Sequence, residues 1–288
     1  MKHFLITQFN LKGIAKQTTD KEWLDWNNYR FKFFEDNTLK SLLNQSNMNF
    51  VWLIYFDNDT PKSCLKYISN WSSHDFIKPI FASGISEFNS TYRKRVIEMA
   101  GNEKWIISSR IDNDDVFHFD SINSIQKSFI PKDKQLISLA SGYVLDMNNL
   151  KLAHYYYFKS PFLSIIERND KESFIGIYEY PHTYWPKISI NFGKMIKGKY
   201  ADLNEDLPIY LLDKPYWIQL IHNNLQNTFY RGFPVLKSRS LKDFSIDINT
   251  KKSSIFSIVK FFNYYLWKRY LWALLYRVIY KNQHKNIE

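Results

Sequence analysis

Residues Trp105 to Asp115 read WIISSRIDNDD. An apolar run passes through Ser-Ser-Arg into three carboxylates, Asp112, Asp114 and Asp115, within four positions. The run has the texture of a buried strand. Three like charges at its end repel one another, which raises their pKa values unless a cation compensates. Mg²⁺ or Mn²⁺ suits that role, because both take carboxylate oxygens together with phosphate oxygens. The loop therefore reads as a D-x-D site in which a carboxylate holds a metal and the metal holds a diphosphate. A calcium loop of the EF-hand type does not fit, since no glycine stands at its turn position and no glutamate closes its frame. The alternative is a solvated turn whose acids cap a helix expected from Phe117.

Working outward, the segments on either side alternate between strand and helix. HFLITQF and FVWLIYFD are apolar runs that read as strands, and FIKPIFA is a third candidate, for which Pro79 suggests a sheet edge or an early end. TTD is a capping signal before a helix expected over 21–44. KSCLKYISNWSS reads as a short amphipathic helix, and SEFNSTYRKRVIEMAG as a helix with Ser86 as N-cap and Gly101 as its stop. This alternation predicts a three-layer α/β unit with a mostly parallel central sheet. Ligands bind at the carboxyl ends of such strands, and the acidic loop sits at one of them. From Gln135 the texture changes: QLISLASGYVLDMNN, KLAHYYYF and FIGIYEYPH read as strands joined by turns.

The bulk composition sets bounds. The 288 residues, 45% hydrophobic and 18% aromatic, can bury one large core with an appendage. The single cysteine, Cys64, excludes an internal disulfide and paired-cysteine zinc sites, which fits a reducing cytoplasm. The start of the chain is too short in apolar residues for a signal peptide, and no window reaches the ~18 apolar residues of a membrane span. The net charge is +11, and residues 251–288 hold eight Lys or Arg against one acid, Glu288. The expected organisation is a catalytic domain over 1–236, a linker over 237–254 and a basic aromatic helical tail over 255–288.

Four stretches carry a resemblance. ITQFNL, FVWLIYFDNDTP, WIISSRIDNDDVFHFDSINSIQ and YWIQLIHNNLQNT, in this order and spacing, resemble a bacterial rhamnosyltransferase family, over residues 3–235. That family is itself similar to glycosyltransferases of the GT-A fold, which bind nucleotide sugars. R-[IL]-D-N-D-D is its most specific element, while D-x-D alone is weak. Gln8 is a departure, standing where the family pattern TRFN has Arg.

The resemblance implies roles residue by residue. Asp112 would lie by the ribose or the metal, Asp114 would ligate the metal, and Asp115 would assist. Arg110 would neutralise the loop or touch phosphate. Thr7 and Asp57 would line the nucleotide pocket, with Arg93 and Arg95 reaching the diphosphate from the preceding helix; a solvated basic helix face is the plain alternative for both arginines. His222 matches the position where many GT-A enzymes return a histidine to the metal, although a lone histidine is more often structural. The cofactor implied is Mn²⁺ or Mg²⁺. An inverting reaction also needs a carboxylate base, for which Glu179, Glu167 and Asp146 are candidates, with Glu179 favoured by its aromatic surroundings.

The implied partners are a nucleoside-diphosphate sugar and a glycan or lipid-linked acceptor of the bacterial surface. The tail, rich in Trp, Tyr, Lys and Arg, reads as an anchor to an anionic membrane surface at the cytoplasmic face. A helix packed on the domain is its alternative, and no motif supports nucleic-acid binding. Two other classes stay open: a nucleotidyl- or phosphotransferase using the same acids, and a non-catalytic basic peripheral membrane protein. The lack of a glycine-rich phosphate loop counts against P-loop chemistry.

Overall fold

Strands β1 (Lys2–Gln8), β2 (Val51–Asp57) and β4 (Trp105–Arg110) are buried at nearly every position, on both faces, around apolar centres. A computed structural model describes residues 1–14, 19–157, 160–185, 209–222 and 230–253. Successive side chains of a strand point to opposite faces. Leu5, Trp52, Ile54 and Ile107 accordingly pack on one side with Phe31 and Phe34 of helix α1 (Asp20–Phe34). Phe4, Leu53, Tyr55 and Ile106 pack on the other with Phe88, Tyr92 and Val96 of α4 (Gly84–Ala100). Helices thus cover both faces, and the fold has the three layers expected of it.

The sheet is completed by β3 (Ile77–Ala82), β6 (Gln135–Asp146), β7 (Lys151–Tyr156), β8 (Leu163–Arg168) and β10 (Phe233–Pro234), in the order β10-β7-β6-β8-β4-β1-β2-β3. The quartet β4-β1-β2-β3 is parallel, whereas β8 joins β4 antiparallel and β7 joins β6 antiparallel. The long strand β9 (Ile209–Ile221) runs parallel to β6 and also pairs with β5 (Asp115–Phe117). Pro79 lies in β3 and Pro234 in β10, the two outermost strands.

Thr19 caps α1 through a reciprocal capping box with Glu22. The helix passes through a π-turn at Glu35–Leu39 into α2 (Lys40–Leu43), filling the predicted 21–44 span. Short helices α3 (Leu65–Trp71) and α5 (Ser121–Lys127) complete the described set. Helix α4 begins at Gly84 with Ser83 as N-cap, not at Ser86. Gly84 has φ +72° and lets the chain pass Lys12 so closely that a Cβ would meet its carbonyl oxygen at 2.9 Å.

Three other readings change. The acids are followed by strand β5, not directly by a helix, because Asp115–Phe117 pair with Trp217–Gln219 across β9. FIGIYEYPH is irregular, not a strand. Gly176 turns the chain at φ +70°, and the N–H groups of Ile175 and Gly176 donate to Glu167 at 2.9 Å each. Part of the stretch expected to be a linker, 237–254, is packed on the domain. Ser240–Leu241 pairs with Ile246–Asn249, and the apolar Leu241, Phe244 and Ile246 are buried against Val116 and Tyr143. The tail over 255–288 lies outside the described residues, and no described helix is long and apolar enough to cross a membrane.

Two outcomes follow from this packing. A Cβ at Gly142 would meet the buried Trp217 indole at 2.1 Å, and that indole donates to Leu139 O at 2.6 Å. Gly142→Ala is expected to destabilise by about 2 kcal/mol or more through overpacking, read by urea unfolding; a change below ~0.5 kcal/mol would contradict the packing. Burial pushes the Glu167 carboxyl up from 4.5 to about 8, against the pull of its two N–H donors. The folded state therefore holds this proton more tightly than the unfolded chain. That contribution to stability is complete below the unfolded value and is lost as pH rises through about 8. Wild-type stability should fall from pH ~5 to ~8 more steeply than that of Glu167→Gln; parallel curves would remove this carboxyl as the cause.

Candidate active site

Strand β4 hands its chain to the acidic loop beside the end of β1, since Ile6 is registered with Arg110. Ile111 N donates to Ile6 O at 3.2 Å, and Thr7 Oγ1 donates to Ile111 O at 2.9 Å while accepting from Trp52 Nε1. Thr7 is thus a buried strut under the loop rather than a group facing a pocket. Asn113, between the acids, is buried as well. Its side-chain amide donates to Phe9 O, its carbonyl oxygen accepts from Thr38 Oγ1, and its Oδ1 accepts from Arg30 Nη1 at 3.1 Å. The loop is fastened to both β1 and the α1–α2 helix.

The three acids then diverge. Asp112 is 46% exposed and meets Arg110 Nη2 at 3.5 Å. Asp114 is 17% exposed; its Oδ2 lies 2.6 Å from Arg30 Nη1 and 3.7 Å from His222 Nε2. Burial acts to raise the Asp114 pKa, but the charge of Arg30 and the bonds from His222 and Arg30 outweigh it and hold the group near about 2. Asp115 is buried within β5, and burial, followed by repulsion from Asp114 and Asp112, drives its pKa well up. Crowding is relieved by solvent at Asp112 and by a guanidinium at Asp114, while burial and repulsion favour the neutral form at Asp115.

His222 is buried just past the end of β9, with Tyr29 Oη 3.0 Å from its Nδ1 and the Phe33 ring 4.1 Å from its own. With Nε2 protonated, His222 donates toward Asp114 and its Nδ1 accepts from the Tyr29 hydroxyl. Arg30 is held over the Trp26 ring at 5.2 Å, and Arg110 over Tyr178 at 4.7 Å. Tyr178 in turn donates to Ile6 O at 3.2 Å. A cavity of about 270 Å³ opens beside these groups, walled by Gln8, Trp26, Arg30, Arg110, Asp112 and Asp114 among others. Gln8, the departure from the family pattern, is on this wall. The Arg110 Nε is buried with no hydrogen-bond partner among the described residues, a donor suited to an anionic ligand.

The remaining candidates lie elsewhere. Both oxygens of Asp57 accept backbone N–H groups, from Lys12 at 2.8 Å and Asp59 at 3.0 Å, on a neighbouring cavity of about 440 Å³ that also includes Ser83 and Gly84. Arg93 pairs with Glu179 at 3.2 Å beside a third cavity, and Arg95 is exposed on α4. Glu167 is the buried clamp already described, and Asp146 caps the β6–β7 turn by accepting from Asn148 and Asn149. The residue sequence reading missed is Arg30, together with its holders Trp26 and Asn113. Its one local signal is a lone arginine inside the aromatic run YRFKFF.

Asp114 and His222 converge, but no group of three or more His, Cys, Asp or Glu able to hold a metal occurs among the described residues. A divalent ion held here would need substrate phosphate and water to complete its ligands, since the protein offers one carboxylate and one imidazole.

The chain is a member of the family described as "Putative rhamnosyl transferase", whose model matches residues 8–190. No curated protein sequence matches the chain. Among solved structures it is similar to Staphylococcus aureus TarS residues 1–349, at 16% identity and a TM-score of 0.40, covering 76% of this chain and 60% of that one. A second S. aureus TarS structure matches at 13% identity and a TM-score of 0.37, covering 77% of this chain and 37% of that one. The chain thus spans less than two thirds of either structure's length.

The Arg30–Asp114 pair is nearly out of water, so breaking it leaves an uncompensated charge. A double-mutant cycle of Arg30→Met and Asp114→Asn should show a coupling of about 2 kcal/mol in urea unfolding; additive effects would mean the contact contributes nothing.

Proposed function

We propose that the chain transfers a sugar, with rhamnose as the family's example, from a nucleoside-diphosphate donor to a glycan or lipid-linked acceptor of a bacterial surface. The observation that carries this reading is the convergence of Asp114, His222 and Arg30 beside the cavity at the carboxyl edge of the parallel strands. Anionic substrates of α/β enzymes bind at that edge.

In this reading the donor diphosphate lies along the cavity. Arg110, steadied by Tyr178, offers its buried Nε to a phosphate oxygen. Asp112, the most exposed of the three acids, accepts from the ribose hydroxyls. Asp114 and His222 would hold Mn²⁺ or Mg²⁺, which when bound supplies positive charge for the leaving diphosphate. Glu179 would take the proton of the acceptor hydroxyl, from the segment that Tyr178 fastens to β1. Asp57 and Ser83 would line the nucleoside end. The basic tail would bring the domain to an anionic membrane surface on the cytoplasmic side.

The test is nucleoside-diphosphate release from UDP-, dTDP- and GDP-sugars, with and without Mn²⁺ and with candidate acceptors present. Asp114→Asn is expected to lower release by roughly 100-fold or more, the scale of losing one charge-stabilising group at a reacting centre. Full activity in that variant would remove Asp114 from the mechanism.

A further inference from the structure

We propose that Arg30 is an internal competitor for the metal: its guanidinium occupies the Asp114 oxygen that a divalent cation would use, and so sets the metal affinity of the site. The inference rests on the preceding reading of Asp114 as a metal ligand. Its basis is the geometry of one oxygen atom. Asp114 Oδ2 is 2.6 Å from Arg30 Nη1, and the same oxygen is the one facing His222 Nε2. A Mg²⁺ or Mn²⁺ ligated by that oxygen stands about 2.1 Å from it. The metal and the guanidinium nitrogen could then be no more than about 4.7 Å apart, the sum of that distance and the 2.6 Å contact. One negative charge would be shared between three positive ones. The guanidinium has to yield, or the metal binds weakly.

Arg30 is not placed to yield freely. It is 5% exposed, it lies over Trp26, and its Nη1 also donates to Asn113 Oδ1. Asn113 is itself tied to Phe9 and Thr38. A guanidinium leaving Asp114 needs a new anion, because a buried charge without a partner is costly. Arg30 and Asp114 share the wall of the cavity proposed for the diphosphate. A phosphate oxygen arriving there supplies that anion and releases Asp114 to the metal. Metal and nucleoside diphosphate therefore bind with positive coupling: each makes room for the other. Without the diphosphate, the site holds Asp114 in a closed ion pair and has little hold on divalent cations.

The test is Mn²⁺ binding to the full chain by electron paramagnetic resonance and calorimetry, in the presence and absence of UDP as probe. Arg30→Met is expected to bind Mn²⁺ alone at least ten-fold more tightly than wild type. Arg30→Lys keeps the charge but loses the planar fork over Trp26, and its Mn²⁺ affinity should fall between those of wild type and Arg30→Met. Should the Met variant not fold, Arg30→Gln, neutral and of similar length, carries the same expectation. UDP should tighten Mn²⁺ binding by ten-fold or more in wild type and much less in the neutral variants. Equal or weaker Mn²⁺ binding in both neutral variants, with Asp114→Asn still reducing wild-type binding, would overturn the competition while leaving Asp114 a ligand. Indifference of Mn²⁺ binding to Asp114→Asn in both wild-type and Arg30→Met backgrounds would overturn the metal reading itself, and the competition with it.

Discussion

A carboxylate taken almost out of water must be given a counter-charge, and at Asp114 the chain supplies its own. Arg30 comes from the helix after the first strand and Asp114 from the loop after the fourth. Their contact fixes how the α1 layer sits over the carboxyl edge of the sheet. Asn113 makes the attachment more specific, since it is bonded to Arg30, to Phe9 beyond β1 and to Thr38 at the end of the π-turn. Thr38, in the π-turn, and Ser41, in α2, are both buried, and the Ser41 hydroxyl donates to Thr38 O at 2.8 Å. Helix, loop and strand end behave as one polar unit set among aromatic packing.

The same unit assigns different chemistry to three residues that look alike on paper. Asp112 keeps contact with water and can meet a ligand. Asp114 is held ionised and aimed at His222. Asp115 is withdrawn into β5 opposite Gln219, where Arg231 Nη2 donates to the Gln219 oxygen. The turn at Asn113 and Asp114 makes this division: Asp112 precedes it and Asp114 lies in it, both on the cavity wall, while Asp115 opens β5. The glycosyltransferase reading draws on the first two acids, and the third belongs to the architecture that holds them.

How much was legible in the sequence depended on the range of the interaction. The strands β1, β2, β4 and β6 announce themselves as apolar runs because burial on both faces leaves no polar alternation to confuse. Edge placement of β3 followed from Pro79, a local effect of the missing N–H. The acidic loop and the approach of His222 to Asp114 were visible from motif and family likeness. Arg30 was not, because its partner is 84 positions away and nothing near it marks the cation as buried. FIGIYEYPH mimicked a strand by alternation, yet the buried Glu167 captures its N–H groups and Gly176 turns it. The three-residue β5 is too short to carry any period.

The two prolines on the outermost strands have a meaning beyond the shape of the sheet. An open sheet ends in rows of backbone groups that another chain can adopt as a template. Pro79 removes a donor from one border and Pro234 from the other, while Lys78 places a charge beside the first. A protein this rich in aromatic and β-branched residues thereby carries its own guard against edge-to-edge polymerisation at both flanks. That guard would matter most if the basic tail gathered many copies on one membrane patch, where the local concentration of exposed borders would be highest.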